Sequence, residues 1–159
     1  GTTQKTLKVG TKVTDKKSKA VYKVTGKKTV QYIKSSVKNI KTVNIPATIT
    51  VKKVKYQVTS IAAKAVKGNK KLTKVVIPAS IKNIGAQAFA GCKNLKNITV
   101  KTTKLTKKRV GSKAFSGIHA KAVIKVPKKK LSAYRKMLKA RGVTKKEKVQ
   151  AIKVKPEKA

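Results

Sequence analysis

A spacing of 23 residues in the middle of the chain constrains the fold more than any other feature of the sequence. The segment "SIAAKAVKGNKKL", residues 60–72, shares its apolar skeleton with "SIKNIGAQAFAGCKNL", residues 80–95. The matched pairs, each 23 residues apart, are Ile61 and Ile84, Ala65 and Ala88, Val66 and Phe89, Gly68 and Gly91, and Leu72 and Leu95. A unit this short cannot bury its own apolar edge, so the copies must stack on one another to form a core.

A third copy and the start of a fourth follow the first two. The third is "ITVKTTKLTKKRVGSKAFSGI", residues 98–118, in which Ala114, Phe115 and Gly117 take the shared positions, and "VIKVP", residues 123–127, begins the fourth. Pro46 and Pro78 lie 32 residues apart, which is one period plus a nine-residue insertion around "VKKVKYQVT". Insertions between the shared positions, and not within them, are typical of a repeat protein.

Each copy predicts a short strand followed by a turn. The "VVI" of residues 75–77 is β-branched, and Pro78 then removes the donor that would continue a ladder. The alanine-rich "IGAQAFAGC", with Phe89 and Cys92 three residues apart, predicts a helical turn. We therefore expect residues 75–77, 98–100 and 124–126 to be neighbouring parallel strands. The residues expected in the core are Ile84, Phe89, Cys92, Leu95, Val110 and Phe115.

The two ends of the chain have patterns of their own. "AVYKV" and "TVQYI", separated by Gly26, predict a hairpin that shields the open edge of the repeats. Leu131, Tyr134 and Leu138 are spaced to form the apolar face of a helix, and Gly142 is a candidate stop signal for it. "VQAIKVK", residues 149–155, alternates weakly and predicts a further strand.

The segment "VVIPASIKNIGAQAFAGCKNLKNITV" resembles the repeat of the BspA-like leucine-rich repeat family, with its Ile-Pro, Ser-Ile, Ile-Gly, Ala-Phe, Gly-Cys and Leu steps. The match is strong over 75–97, good over 98–127 and weaker over 43–74, where Val66 and Asn69 replace the usual Phe and Cys. "KVGTKVTDKKSKAVYKVT" and "VPKKKLSAYRKMLKARGV" resemble the segments that flank the repeats in this family.

The resemblance implies one α/β domain spanning residues 1–159, built as a right-handed leucine-rich-repeat solenoid with short parallel strands and helical turns. Residues 1–40 would form a β-rich N-terminal cap and residues 41–127 the repeats. Residues 128–159 would form a C-terminal capping helix and a further strand. The family consists mainly of secreted or cell-surface proteins of host-associated bacteria, described as adhesive or interaction modules. We therefore expect an extracellular or cell-surface location, with any signal peptide outside this sequence.

The charge of the chain is extreme. It has 44 basic residues, of which only Arg109, Arg135 and Arg141 are arginine, against Asp15, Glu147 and Glu157, for a net charge of +41. This is far more than solubility requires. It predicts repulsion within the fold and attraction to polyanions outside it.

The sequence offers no set of residues suited to catalysis. Cys92 and the single histidine, His119, lie one repeat apart with no acid to orient them, and Cys92 occupies a core position. Three acids are too few and too scattered for paired-carboxylate chemistry, and no glycine-rich phosphate loop is present. We therefore expect a protein that is not an enzyme and uses no cofactor or metal. No run of residues approaches the roughly 18–20 apolar residues of a membrane span.

The candidate binding residues lie on the strands and on one lysine block. Alternate strand positions that do not face the core predict a ladder of Thr42, Asn44, Lys74, Val76, Asn97, Thr99, Val123 and Lys125. In repeat solenoids the concave surface of the sheet is the usual binding face. Most lysines fall in the turns and at outer positions, including the block Lys128, Lys129 and Lys130.

Two interpretations of the lysines stay open. They can be a solvated surface that reflects composition, or a coat that binds cell-wall polymers, sulfated glycans or mucins, with host surface proteins as further candidate partners. An alternative function is nucleic-acid binding through non-specific phosphate contacts, which charge alone predicts in vitro. Against a dedicated role of that kind stand the scarcity of arginine and the lack of aromatic residues among the basic runs.

Overall fold

The computed structural model describes residues 5–153, and within this range it contains two β-sheets and one α-helix. The strands are β1 (Lys12–Asp15), β2 (Ala20–Val24), β3 (Thr29–Ser35), β4 (Thr42–Asn44), β5 (Thr48–Val51), β6 (Val54–Ile61), β7 (Lys74–Ile77), β8 (Asn83–Ile84), β9 (Asn97–Val100), β10 (Val123–Val126) and β11 (Lys148–Ala151). The helix α1 spans Leu131–Ala140, and single 3₁₀ turns lie at Lys107–Arg109 and Lys128–Lys130.

The first sheet is parallel throughout and has the order β11-β10-β9-β7-β4. Each of its repeat strands is three or four residues long, and prolines follow directly after β7 and β10. Val75 pairs with Ile98, and Ile98 pairs with Ile124, so the same position of each repeat lies in one row across the sheet. The predicted parallel strands are thus confirmed. Of the predicted C-terminal strand, residues 149–151 lie in β11, while residues 152 and 153 are not part of a strand. Residues 154 and 155 of that prediction lie outside the described residues.

The second sheet combines the N-terminal strands with a shorter ladder of the repeats. Its order is β1-β2-β3-β6-β5, with β8 also paired to β6. The predicted hairpin is formed by β2 and β3, and β1 adds an antiparallel strand to it. Ile61 pairs with Ile84, which bridges to Val110, so a row of repeat positions continues along this sheet.

The nine-residue insertion of the first repeat forms an antiparallel hairpin, β5–β6, with Lys52 and Lys53 in its two-residue turn. Through β6 this hairpin pairs in parallel with β3. The insertion therefore joins the N-terminal strands to the stacked repeats.

The segments predicted as helical turns are not helical, and this part of the prediction is wrong. Gln87 and Gly91 have positive φ values of 57° and 73°, which interrupt a right-handed helix. The N–H groups of Gln87, Phe89 and Gly91 instead donate to carbonyl oxygens of the next repeat, those of Ser112, Ala114 and Ser116, at 2.8–3.0 Å. Within the segment, β-turns are closed by bonds between residues three apart, such as Ala88 N–H to the Gly85 carbonyl at 3.3 Å. The bonds between repeats stack these turns on the turns of the neighbouring repeat. The same positive φ recurs at Lys64 and Lys113.

The core runs between the two sheets and the stacked turns. Every residue expected in the core is at most 2% exposed: Ile84, Phe89, Cys92, Leu95, Val110 and Phe115. The rings of Phe89 and Phe115 stack with their centroids 5.3 Å apart and an interplanar angle of 16°. Repeat-to-repeat stacking of identical side chains therefore builds the core, as the 23-residue spacing predicts.

At the C-terminal side, α1 buries Tyr134, Met137 and Leu138, while Leu131 is half-buried against the core. The helix ends at Ala140, and Gly142, two residues later, has a φ of +113°. Val143 N–H donates to the Leu138 carbonyl at 3.0 Å, and both side chains are buried. This is the hydrogen-bond pattern of a glycine-terminated Schellman cap, and it directs the chain into β11. The right hand of the solenoid stays a prediction.

Candidate ligand-binding face

The outward side of the parallel sheet carries two rows of side chains, and together they form what we call the strand face. Buried residues such as Val75 and Ile77 alternate with these positions and point into the core. The first row is Thr42, Lys74, Asn97, Val123 and Lys148, and the second is Asn44, Val76, Thr99, Lys125 and Gln150. The structure thus brings together all eight residues of the predicted ladder. Sequence reasoning missed Lys148 and Gln150, because the register of the weak C-terminal strand was not assigned.

The strand face is polar and open to solvent. Five of the eight predicted ladder residues are exposed, and Val76, Thr99 and Val123 are half-buried. A depression of about 200 Å³ lies on this face, lined by Lys74, Asn97, Ile98, Thr99, Val123 and Lys125. Strand β9 lies between β7 and β10, and Lys125 is two residues further along its strand than the row of Lys74, so the Cα atoms of Lys74 and Lys125 are roughly 12 Å apart. Two ammonium groups with an amide and a hydroxyl between them are suited to an anion.

The lysine block Lys128, Lys129 and Lys130 is not part of the strand face. It forms a 3₁₀ turn directly after Pro127, between β10 and α1. Lys128 and Lys129 are exposed, while Lys130 is half-buried. Lys130 lines a groove of about 410 Å³ beside α1 with Leu105, Thr106, Lys107, Ala133, Tyr134, Lys136 and Met137.

A larger cleft of about 610 Å³ adjoins the strand face, and sequence reasoning missed it. Its lining residues are Asp15, Lys17, Ser18, Asn44, Ile45, Pro46, Thr48, Ile49, Thr50, Val76 and Lys101. Asn44 and Val76 belong to both the cleft and the strand face. The cleft thus extends the polar surface from the repeats to the turn between β1 and β2.

The two carboxylates of the described residues are both engaged in local hydrogen bonds. Asp15 Oδ2 accepts from the N–H of Ser18 at 2.9 Å and from the Ser18 hydroxyl. Glu147 Oε2 accepts from the N–H of Thr144 at 3.0 Å and from the Thr144 hydroxyl. These acids therefore stabilise turns in the backbone.

Cys92 and His119 each form a hydrogen bond with a backbone group. Cys92 is fully buried, its thiol donates to the Val66 carbonyl at 3.1 Å, and burial raises its pKa, so the reactive thiolate is disfavoured. His119 Nδ1 accepts a hydrogen bond from the N–H of Lys121 at 3.0 Å. Among residues 5–153, no group of three or more His, Cys, Asp or Glu side chains is placed to hold a metal ion. No helix in the same range is long and apolar enough to cross a membrane.

A stack of short repeats, each contributing a parallel strand and a set of hydrogen-bonded turns, defines a leucine-rich-repeat solenoid. Residues 59–140 match the family profile described as a BspA type leucine rich repeat region with six copies. The chain belongs to this family, which confirms the resemblance noted in its sequence. No curated protein matches the chain.

Solved structures of bacterial repeat proteins share the fold. A leucine-rich cell surface protein from Faecalibacterium prausnitzii is 24% identical, with a TM-score of 0.55, over 73% of this chain and 33% of that one. A leucine-rich repeat protein from Bacteroides ovatus is 21% identical, with a TM-score of 0.53, over 84% of this chain and 40% of that one. One from Bacteroides capillosus is 17% identical, with a TM-score of 0.56, over 87% of this chain and 97% of that one. The chain therefore spans less than half the length of the first two proteins.

Proposed function

We propose that this chain is a non-catalytic interaction module of a secreted or cell-surface bacterial protein, and that its lysine-rich surface contacts polyanionic polymers such as wall polymers, sulfated glycans or mucins. In this proposal the solenoid is right-handed, with β1–β3 and α1 as its caps. The net charge of +41 carries the proposal. A surface potential of this size concentrates polyanions near the protein and speeds their association. The surface location rests on the family and on the description of the Faecalibacterium protein.

The positions of the lysines support a role in binding over passive solvation. Non-glycine residues with positive φ occur at seven described positions, and five of these are lysine: Lys19, Lys52, Lys53, Lys64 and Lys113. Such positions favour Gly, Asn or Asp because a longer side chain is strained there. Lysine thus occupies positions that the backbone disfavours, which is expected if the charge itself has a function.

The arginines argue against base-specific nucleic-acid recognition. Arg141 donates from Nε to the Val110 carbonyl at 2.7 Å and from Nη2 to the Lys107 carbonyl at 2.7 Å. Arg135 donates from both Nε and Nη2 to the Val149 carbonyl. Two of the three guanidinium groups are therefore occupied by the backbone, whereas bidentate contacts to bases need them free.

The test is the salt dependence of affinity for a sulfated glycan such as heparin. If lysine–sulfate contacts dominate, log affinity falls linearly with log salt concentration. By analogy with nucleic acids, six to ten contacts imply a loss of about 10³–10⁵-fold between 50 and 200 mM salt. Replacing Lys128, Lys129 and Lys130 together by alanine should reduce this slope, while any single replacement should change little.

The matched comparison is a strand-face variant, Asn97→Ala with Thr99→Ala, which removes no charge. A specific protein or glycan site on the strand face predicts that this variant abolishes binding and that salt has little effect. An affinity that is independent of salt and lost in the strand-face variant would contradict the polyanion proposal.

A further inference from the structure

The cleft between the β1–β2 turn and the first repeat holds one of the two carboxylates of the described residues. Asp15 is half-buried in this 610 Å³ cleft, whose floor includes the buried Ile45 and Ile49. Its rim carries Lys17 and Lys101, both exposed. A carboxylate inside the cleft sets it apart from the lysine-covered surfaces around it.

The position of Asp15 is fixed by its neighbours. Both hydrogen bonds from Ser18 fall on Oδ2, and the Ser18 hydroxyl is also 2.7 Å from the Tyr22 hydroxyl. Tyr22 is fully buried. Among residues 5–153, Asp15 Oδ1 accepts no hydrogen bond from another side chain or from the backbone. The carboxylate is therefore held in one orientation with one oxygen able to accept from a ligand.

The walls of the cleft supply neutral hydrogen-bonding groups. Asn44, Thr48 and Thr50 are exposed and line it together with Ser18. Thr48 and Thr50 stand two residues apart on β5, so both side chains lie on the same face of that strand. An amide and hydroxyls beside a carboxylate are suited to a ligand with several hydroxyl groups.

The charges around the cleft restrict the ligand further. A cationic group would be repelled by the protein as a whole, whereas an anionic group placed against Asp15 would be repelled by that carboxylate. A neutral hydroxyl can donate to Asp15 in a charge-assisted hydrogen bond while an anion on the same molecule contacts Lys17 or Lys101. These requirements describe an acidic sugar unit, with hydroxyls and an anion on the same ring.

We propose that this cleft binds an acidic sugar unit of a glycan, with Asp15 accepting from ring hydroxyls and Lys17 and Lys101 contacting the carboxylate, sulfate or phosphate of the sugar. This inference rests on the proposed function and deepens it, because it makes the protein select anionic glycans over polyanions without hydroxyl groups. The cleft is continuous with the strand face through Asn44 and Val76. A glycan chain that starts in the cleft can therefore continue across the strands.

The test compares two ligands of matched charge and length, an oligogalacturonate and inorganic polyphosphate, at one ionic strength. Asp15→Asn keeps an oxygen for the Ser18 hydrogen bonds but removes the charge. The amide NH2 then replaces Oδ1 on the ligand side and cannot accept from a hydroxyl, so one charge-assisted hydrogen bond is lost and affinity for oligogalacturonate should fall about tenfold or more. Affinity for polyphosphate should stay unchanged or rise, because a repulsive charge is gone.

A second variant, Thr48→Val with Thr50→Val, keeps the shape and charge of the cleft but removes two hydroxyls. It should weaken oligogalacturonate binding and leave polyphosphate binding unchanged. The control variant, with Lys128, Lys129 and Lys130 replaced by alanine, should weaken both ligands alike. Thermal unfolding of each variant verifies that it is folded.

The outcomes separate this inference from the proposed function. The deciding quantity is the ratio of the affinity for oligogalacturonate to that for polyphosphate. If wild type binds both ligands with salt-dependent affinity but neither cleft variant changes this ratio, the cleft proposal is overturned and the polyanion proposal stands. If wild type binds neither ligand, both proposals are overturned. A lowered ratio in both cleft variants supports the acidic-sugar site.

Discussion

Gly85 and Gly111 lie where the backbones of successive repeats approach each other closely. A Cβ atom on Gly85 would lie 2.2 Å from the Ala63 nitrogen, and one on Gly111 would lie 2.2 Å from the Ala86 nitrogen. The N–H of Gly85 donates to the Ile61 carbonyl at 2.8 Å, which holds the two turns together. Glycine is thus needed at these two positions for the backbones of successive units to come into contact.

Gly85→Ala should destabilise the protein by at least about 1–3 kcal/mol, the usual cost of overpacking, because the atoms it meets belong to the backbone and cannot rotate away. The free energy of unfolding from urea titration measures the effect. Gly68→Asn is the matched control, since Gly68 has a φ of +72° but open space around it, and Asn tolerates that conformation. Equal stability of Gly85→Ala and wild type would show that the repeats can separate without cost.

Tyr134 connects α1 to the loop that follows β9 in the third repeat. Its hydroxyl donates to the Thr102 carbonyl at 2.7 Å and accepts from the Leu105 N–H at 3.2 Å, both in buried surroundings. Tyr134→Phe removes both hydrogen bonds and leaves two buried backbone groups unpaired, so we expect a loss of about 1–3 kcal/mol in unfolding free energy. Tyr56→Phe is the comparison, because it removes a single, partly buried bond from the Leu7 N–H. A cost for Tyr134→Phe no larger than that for Tyr56→Phe would contradict this role.

At the scale of elements, the β5–β6 hairpin contains an unfavourable turn. Lys52 and Lys53 have φ values of 49° and 68°, and Val51 pairs with Val54 across them. Two successive positive φ values in a two-residue loop indicate a type I′ turn, for which Asn-Gly is preferred. The hairpin thus forms despite its turn residues, because β6 is also paired with β3 and β8.

Lys52→Asn with Lys53→Gly should therefore stabilise the protein, by about 1 kcal/mol or more, since each strained non-glycine residue costs roughly 1–2 kcal/mol in this conformation. Unfolding free energy in urea measures the gain. Part of any gain would come from removing two positive charges. Lys27→Asn with Lys28→Gln removes the same charge from the exposed β2–β3 loop, where no positive φ occurs. If the two double variants gain the same unfolding free energy, relief of strain in the turn makes no contribution.

The elements that the sequence predicted correctly are those determined by local spacing. The strands ending at prolines, the buried phenylalanines and the helix face of Tyr134 and Leu138 all follow from periodicity. The turns were mispredicted because alanine-rich segments favour helix locally. The positive φ of Gln87 accompanies hydrogen bonds to a repeat about 25 residues away along the chain, as from Gln87 to Ser112. Propensity is a weak guide where tertiary contacts of this kind decide the conformation.

The candidate site was predictable only in part, for a similar reason. The rows of the strand face follow from the repeat period, so their residues could be named in advance. The cleft at Asp15 forms between a turn of the N-terminal strands and residues 44–50 of the first repeat. No period relates these segments, and Asp15 alone in the sequence indicated only an isolated acid.

At the scale of the whole molecule, the positive charge is not balanced within the chain. The carboxylates of Asp15 and Glu147 accept hydrogen bonds from neighbouring hydroxyls and backbone N–H groups. The lysines lie on a folded surface, where they are closer together on average than in the unfolded chain. Repulsion among them therefore destabilises the folded state, and the apolar core of stacked repeats must offset it.

Screening this repulsion should stabilise the protein. Like charges within a Debye length of about 8–10 Å at moderate salt repel each other, and the length shrinks to about 3 Å at 1 M. We expect the melting temperature to rise between low salt and about 0.5 M NaCl, and to rise further in sulfate, which also strengthens apolar burial. Replacing Lys128, Lys129 and Lys130 by glutamine should raise the melting temperature at low salt and reduce its dependence on NaCl. A melting temperature that stays constant or falls with NaCl would mean that self-repulsion is a minor contribution, and that the fold tolerates its charge through packing alone.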